Sequence, residues 1–289
     1  MDDRMGSVGQ ARGILQALND ELDISEKKIV YNRLAKLPNC LKGVSLLGID
    51  KSASSALEKP WPDAVLSISR RTTPVARWIK KQSGGKTKII QLMFPGKCGL
   101  DDLDLVIVPE HDAKAGNAPN LFYITGCPHR VSLEYIREAQ SKWAPAFADL
   151  PRPLLSVIVG GSIKGAPFSE ENARALGQSI CQIKKRQGGS VLITSSRRTG
   201  AAAEKAIMEE LAGIPLYTFL WGEKKENPFA GFLACADMIA VTGDSVSMCC
   251  ETCGAGKPVG IFIGKNWLTP KHLRFVESLY QKGYALPLE

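Results

Sequence analysis

The stretch Val241–Pro258, VTGDSVSMCCETCGAGKP, joins two apolar runs that read as strands, Met238–Val241 before it and Val259–Ile263 after it. A short polar turn therefore opens a helix between two buried strands. Asp244 and Ser245 suit the N-cap, because a short side-chain oxygen takes up an N–H group that a helix start leaves over. Gly254 and Gly256, with Pro258 behind them, stop the helix. Its beginning, Ser245-Val246-Ser247, offers unpaired N–H groups and a partial positive charge, which favour a phosphate. Glu251 lies about two turns further in, where a carboxylate reaches past bound phosphates to a sugar hydroxyl. The same segment also reads as an ordinary crossover with a capped helix, since short motifs specify function loosely.

The rest of the second half repeats this alternation. Leu154–Val159 (LLSVIV) is a continuous apolar, β-branched run that ends in Gly160-Gly161. A helix follows from about Ser169, with Glu170 and Glu171 in its first turn and Gly188-Gly189 at its end. Strand Ser190–Thr194, helix Ala201–Ala212, strand Leu216–Leu220 and helix Pro228–Ala236 lead into the opening segment. Five strands alternating with helices predict a doubly wound parallel sheet. Ligands of such sheets lie beyond the strand C-termini. Those ends carry Gly160-Gly161-Ser162, Ser195–Arg198, Trp221–Asn227 and Thr242–Ser247, all polar or glycine-rich.

The first half is looser but similar in kind. Gly6-Ser7-Val8-Gly9-Gln10 reads as a loop before a helix that runs to about Asn19. Strand candidates are Lys28–Tyr31, Val44–Gly48, Ala64–Ile68, Lys88–Met93, Leu105–Val108 and Leu121–Thr125, with a helix over Thr73–Gln82. Pro145, Pro151 and Pro153 mark a junction. The expected organisation is an N-terminal Rossmann-like domain over 1–145, a C-terminal one over 146–270, and a helix and tail over 271–289. The fold class is α/β, two doubly wound domains facing a cleft. No internal repeat is evident.

Composition narrows the function. The chain of 289 residues is 44% hydrophobic and 23% charged, enough to bury a core. No apolar run approaches the roughly 20 residues of a membrane span, and MDDRMGSVGQ lacks the basic, then apolar pattern of a secretory signal. A cytoplasmic protein is expected. The net charge of +8 divides evenly: 21 Lys and Arg stand against 17 Asp and Glu in residues 1–150, and 16 against 12 in 151–289. Arg70-Arg71, Lys80-Lys81, Lys184–Arg186 and Arg197-Arg198 are the basic clusters; Lys184–Arg186 reads as a solvated helix face. The charge permits attraction to anionic ligands or peripheral association with a membrane surface. Nucleic acid is not expected, because no binding motif or interleaved aromatic pattern accompanies the charge. Of eight cysteines, Cys250 and Cys253 form a C-x-x-C, but no second pair or nearby His completes a zinc site. Small, apolar core filling by reduced thiols explains them.

Two such domains, a Gly-Gly loop after the second domain's first strand, and a late helix carrying Glu then Gly-x-Pro resemble the GT-B glycosyltransferases. LLSVIVGGSIKG and SMCCETCGAGKP are similar to donor-domain segments of the N-acetylglucosaminyltransferase that makes lipid II. There the Glu seven residues before the Pro holds the donor ribose, and Glu251 and Pro258 have that spacing. DDRMGSVGQ, SRRTTPVARWI, VIVPEHD, TGCPHRVS, TSSRRTG, ENPF and ADMIAVTGDSVSM together resemble the mitochondrial fission factor (elongated mitochondria) family across nearly the whole chain. That resemblance implies a GT-B-like fold, with glycosyltransferase activity inferred for bacterial members and recruitment of a dynamin-like GTPase for the plant branch. Three departures stand out. MDDR begins where a first strand is expected to have just ended, Phe94 precedes Pro95 where related sequences carry an acidic residue, and the chain stops soon after the helix Pro270–Lys282.

The resemblance implies roles. A donor's phosphates need dipoles and cations, since charge builds on the leaving group as the glycosidic bond breaks. Gly160, Gly161 and Ser162 are expected as a backbone cradle, with Ser245, Val246 and Ser247 at the helix start. Arg197 or Arg198 is the two-pronged charge partner, and Glu251 the ribose ligand. Asn227 either orients the donor or caps the helix after it. No separate cofactor is expected beyond a UDP- or GDP-linked sugar as substrate, and the acceptor is unidentified. A general base is sought at His129 or at His111-Asp112, though an interdomain hydrogen bond also explains His129. Gly6, Ser7 and Gln10 are expected on the acceptor side. Asp102-x-Asp104 superficially resembles the metal motif of the other glycosyltransferase fold, but it precedes a strand; no metal is expected. A sugar-nucleotide epimerase or dehydrogenase fits poorly, because no G-x-G-x-x-G follows a strand.

Overall fold

The computed structural model describes residues 5–18, 22–112 and 116–288. The chain forms two compact units that part between Arg130 and Val131. The first contains α1 (Met5–Ala17), the one-turn α2 (Asn39–Lys42), β1 (Ala64–Ile68), α3 (Thr73–Gln82), β2 (Lys88–Leu92), β3 (Leu105–Pro109) and β4 (Leu121–Ile124). The second contains α4 (Leu133–Trp143), β5 (Leu154–Ile158), α5 (Glu170–Gln187), β6 (Ser190–Thr194) and α6 (Ala201–Glu210). It continues through β7 (Leu216–Phe219), α7 (Phe229–Cys235), β8 (Met238–Thr242), α8 (Val246–Gly254), β9 (Val259–Phe262), α9 (Pro270–Gln281) and β10 (Leu286–Pro287).

The α/β class and the two parallel-sheet units are as the sequence predicts. The second unit's sheet runs β10-β9-β8-β5-β6-β7, every pair parallel. Strand order reverses between β5 and β8, the doubly wound pattern. Every residue of β5 and β6 is buried, because helices cover both faces of a central parallel strand. Leu155, Val157, Leu176, Ile180, Val191, Ile193 and Ile207 join the two strands to α5 and α6 in one core. The sixth strand, β10, is an addition: Leu286 and Pro287 pair with Gly260 and Ile261 at the edge. On the other face α4 packs against α7, with Phe147 of the following 3-10 turn against Tyr217 and Phe232. This packing draws residues 133–147 into the second unit.

The first unit's sheet runs β1-β2-β3-β4, also parallel, and its order does not reverse among the described residues. Two of the expected strands are absent there. Lys28–Tyr31 and Val44–Gly48 contribute only a bridge between Tyr31 and Ile49. Their segments wrap α3 as irregular chain, with Ile29 and Ile49 burying Val75 and Ile79; apolar burial was real, but nothing pairs the backbone into a ladder. The expected Gly6–Gln10 loop is a second correction, since Gly6, Ser7 and Gln10 lie inside α1. Ala11 packs on Ile68 and Leu92, and that burial outweighs the roughly 1 kcal/mol by which Gly9 disfavours a helix. Gly13 is needed for close approach: a Cβ there would lie 2.6 Å from the His129 carbonyl.

The basic clusters also sort themselves. Lys184 is no solvated face residue; it is buried, and its ammonium donates to the Pro153 and Ser190 carbonyls at 2.9 and 3.3 Å. Asp102 pairs with Arg77, and Asp104 with Lys80 and Lys88. Burial alone would raise the Asp104 carboxyl, but Lys80, the Ile89 N–H and Lys88 outweigh it and hold it down at about 2. All eight cysteines are free, with Cys249 and Cys250 buried. Burial pushes the Cys253 thiol up to about 12. Among the described residues, no helix is long and apolar enough to cross a membrane.

Candidate functional site

A parallel sheet gathers its ligands where strand order reverses, beyond the C-terminal ends. In the second unit that point lies between β5 and β8. Gly160-Gly161 leaves β5, Asp244-Ser245 leaves β8, and Ser196–Thr199 leaves the neighbouring β6.

Asp244 ties these three loops together. Its side chain is 0% exposed, and its Oδ2 pairs with Arg198 Nη1 at 2.7 Å while accepting the Gly161 N–H at 2.9 Å. The double glycine follows from this packing. A Cβ on Gly160 would sit 2.2 Å from Asp244 Oδ1, and one on Gly161 would sit 2.1 Å from the Arg198 carbonyl carbon. Ser196 Oγ donates to the Gly160 carbonyl at 2.5 Å, and Thr199 Oγ1 donates to the same oxygen.

The expected backbone cradle is therefore closed. The Gly160 N–H goes to Thr242 Oγ1 at 2.7 Å, the Gly161 N–H to Asp244, and the Ser162 N–H to the Arg198 carbonyl at 2.8 Å. Gly160, Gly161 and Ser162 shape the site but hold out no amides of their own. The reason is tertiary: Thr242, Asp244 and the β6 loop arrive from distant sequence to take one each.

The start of α8 differs. Ser245 is the N-cap, its Oγ accepting from Met248 at 3.5 Å. The N–H groups of Val246 and Ser247 meet no protein acceptor among the described residues. Ser247 and Glu251 stand one turn apart on the same helix face, both half-buried. Asp244, the other expected cap, is used beneath the glycine loop instead. Arg197 is exposed, with no hydrogen bond or ion pair among the described residues, whereas its neighbour Arg198 is committed to Asp244. Asn227 acts as a turn cap, its Oδ1 accepting the Phe229 N–H at 3.0 Å.

One residue near this site carried no sequence signal. His272 of α9 hydrogen-bonds Thr269 Oγ1 through Nδ1 at 2.8 Å. Burial lowers its pKa, the nearby Asp244 carboxylate raises it, and Lys271 and Arg198 add to the lowering. The imidazole is thus neutral near pH 7. A cavity of about 140 Å³ lies at the opposite end of the sheet, beside Leu154 and Cys235, and no candidate residue lines it.

In the first unit the candidates follow β3 and β4. His111 is buried and Asp112 half-buried, its N–H donating to the Pro109 carbonyl at 2.8 Å. His129 lines a groove of about 450 Å³ with Gly13, Ile14, Thr125 and Cys127; Asp112 does not line it. The side chains of Gly6 and Ser7 lie outside the described ones, and Gln10 is half-buried on α1.

Comparison with known proteins agrees in extent with the motifs. The chain is 29% identical over 257 residues to the mitochondrial fission protein ELM1 of Arabidopsis thaliana, covering 82% of this chain and 59% of that protein. It thus spans under two thirds of the plant protein's length. It is 27% identical over 319 residues to the uncharacterized protein RP120 of Rickettsia prowazekii (strain Madrid E), covering 98% of this chain and 88% of that one. Among solved structures it is similar to the UDP-GlcNAc 2-epimerase from Methanocaldococcus jannaschii. There the TM-score is 0.49 at 12% identity, over 75% of this chain and 69% of that one. The family described as Mitochondrial fission ELM1 matches residues 5–289, and the chain belongs to it.

Proposed function

We propose that this chain is a metal-independent GT-B-type glycosyltransferase whose second unit holds a UDP- or GDP-linked sugar. The supporting observation is the pair of first-turn amides on α8, Val246 and Ser247, without protein acceptors at the strand-order reversal of the sheet. A diphosphate placed there meets two N–H donors and the helix dipole. Exposed Arg197 adds a guanidinium that neutralises the charge growing on the departing nucleoside diphosphate. Glu251, one turn beyond Ser247, takes the ribose hydroxyls. His129 in its groove is the better of the two general-base candidates for the acceptor hydroxyl. Calorimetry with UDP and GDP tests this. Glu251→Ala lowers nucleotide affinity about tenfold or more, the value of one or two hydrogen bonds to a charged group, in a protein that circular dichroism shows folded. Absence of binding by either nucleotide rejects the reading.

The closed amides of Gly160, Gly161 and Ser162 favour a second reading, a catalytically silent GT-B-like adaptor that keeps the fold. Hydrolysis or transfer of a donor sugar above background counts against it.

A further inference from the structure

The first unit carries a cationic cluster that the donor site does not use. Lys42, on α2, is 4% exposed, yet among the described residues its ammonium has one hydrogen bond, to the Ala35 carbonyl at 3.2 Å. Arg70 Nη1 and Nη2 donate to the Leu37 and Lys36 carbonyls at 3.0 and 3.5 Å. Three consecutive carbonyls thus hold the two head groups within one turn of each other. Arg71 lies beside them, its guanidinium 4.3 Å from the centre of the Tyr31 ring. No carboxylate among the described residues pairs with Lys42 or Arg70. A buried cation among like charges with no counter-ion is costly. Burial lowers the Lys42 pKa, and Arg70 and Arg71 lower it further.

The loop that carries Arg70 and Arg71 has an unusual backbone. Ser69, at φ +73°, is held in the left-handed region that non-glycine residues avoid. Its carbonyl is turned inward, accepting from Gln91 Nε2 at 3.2 Å. In a planar trans peptide the next N–H points the opposite way, so the Arg70 N–H faces out of the core. The N–H groups of Arg70, Thr72 and Thr73 meet no protein acceptor among the described residues. The outward Arg70 N–H and the Lys42 and Arg70 head groups thus belong to one neighbourhood, close enough for Arg70 to lower the Lys42 pKa.

We propose that the Ser69–Thr73 loop with Lys42 is a phosphate-binding site, and that its ligand is the phosphoryl or diphosphoryl group of the acceptor. The acceptor assignment rests on the transferase reading; phosphate binding does not. An ammonium and a guanidinium match a phosphate's oxygens.

Calorimetry of the full chain with inorganic pyrophosphate, with and without saturating UDP, tests it. Pyrophosphate binds with UDP present. Arg70→Gln weakens that binding about tenfold or more, as loss of a charged hydrogen-bonding group requires, while Arg197→Gln leaves it unchanged. Arg70 is exposed, so this variant keeps its fold, checked by circular dichroism; Lys42→Met gives the same loss where its denaturation curve shows it folded. Co-sedimentation with phosphatidylcholine vesicles containing phosphatidic acid distinguishes the sources. Sedimentation lost in Arg70→Gln assigns a lipid phosphate, and pyrophosphate binding without sedimentation assigns a soluble one. No binding of either probe, or binding that Arg70→Gln leaves unchanged, overturns the proposal. If UDP fails to bind while Arg70→Gln still removes pyrophosphate binding, the transferase reading falls and the phosphate site stands without its acceptor.

Discussion

Ser-Arg-Arg-Thr occurs twice in this chain, at 69–72 and 196–199. Each copy leaves the C-terminal end of a parallel strand, β1 or β6, and precedes a helix, α3 or α6. The threonine is buried and donates to a backbone carbonyl in both, within its own segment in the first copy and across to the β5 loop in the second. Thr72 donates to the Ile68 carbonyl at 2.6 Å, and Thr199 to the Gly160 carbonyl. The arginines diverge. Arg198 is neutralised by buried Asp244, which leaves Arg197 as the exposed cation of the second loop. In the first loop Arg70 faces backbone carbonyls, and buried Lys42 adds charge. One tetrapeptide is a lock between three loops; the other is a charged surface. The difference lies in what the rest of each unit brings to it.

Asp244→Ala breaks that contrast most severely. It leaves Arg198 without its counter-ion and the Gly161 N–H without an acceptor. Removing one partner of a buried pair costs about 3–5 kcal/mol. Because the Arg198 side chain is 36% exposed and partly re-solvated, a loss of about 3 kcal/mol is expected by urea denaturation. Gly161→Ala comes next, at about 2–3 kcal/mol, since its Cβ meets backbone that cannot swing aside. A Gly161→Ala protein as stable as the parent would refute the lock.

Acid has a gentler effect. The Asp104 carboxyl of the first unit is held at about 2, below its value in an unfolded chain. Its contribution is therefore present above about pH 4 and is lost as pH falls toward 2. The side chain is 25% exposed, so solvent screening reduces the effect to roughly 1–2 kcal/mol. Asp104→Asn should flatten the stability profile in that window, followed by denaturant midpoints at each pH. The smallest effect is at Ser69. Relieving its positive φ in Ser69→Gly is neutral or stabilising by up to about 1 kcal/mol, where the same measurement on Gly161→Ala shows a loss.

The second unit was the more legible in sequence because its strands are buried on both faces and its helices carry caps. Every expected strand and helix of residues 154–282 forms, with ends shifted by a residue or two. The first unit misled where apolar content did not mean pairing: Ile29 and Ile49 bury α3 without joining the sheet. Gly6–Gln10 misled for the opposite reason, since local glycine content argued for a loop while Ala11 found a core. Within the candidate site, Ser245, Val246, Ser247 and Glu251 were visible as a capped helix start. Asp244 was visible only as a second capping option, and the repeated Ser-Arg-Arg-Thr stood in plain view, but neither showed its use.

By itself the sequence determined the alternation of strand and helix, the parallel sheets and the capped start of α8, because these follow from local periodicity and capping. Only tertiary structure decided which polar groups remain available. Among the described residues the amides of Gly160–Ser162 are consumed and those of Val246 and Ser247 are not, and Arg198 is neutralised while Lys42 is not. A hydrogen-bond donor or a charge is spent or spared by partners far away in the chain, and spacing along the sequence does not reveal them.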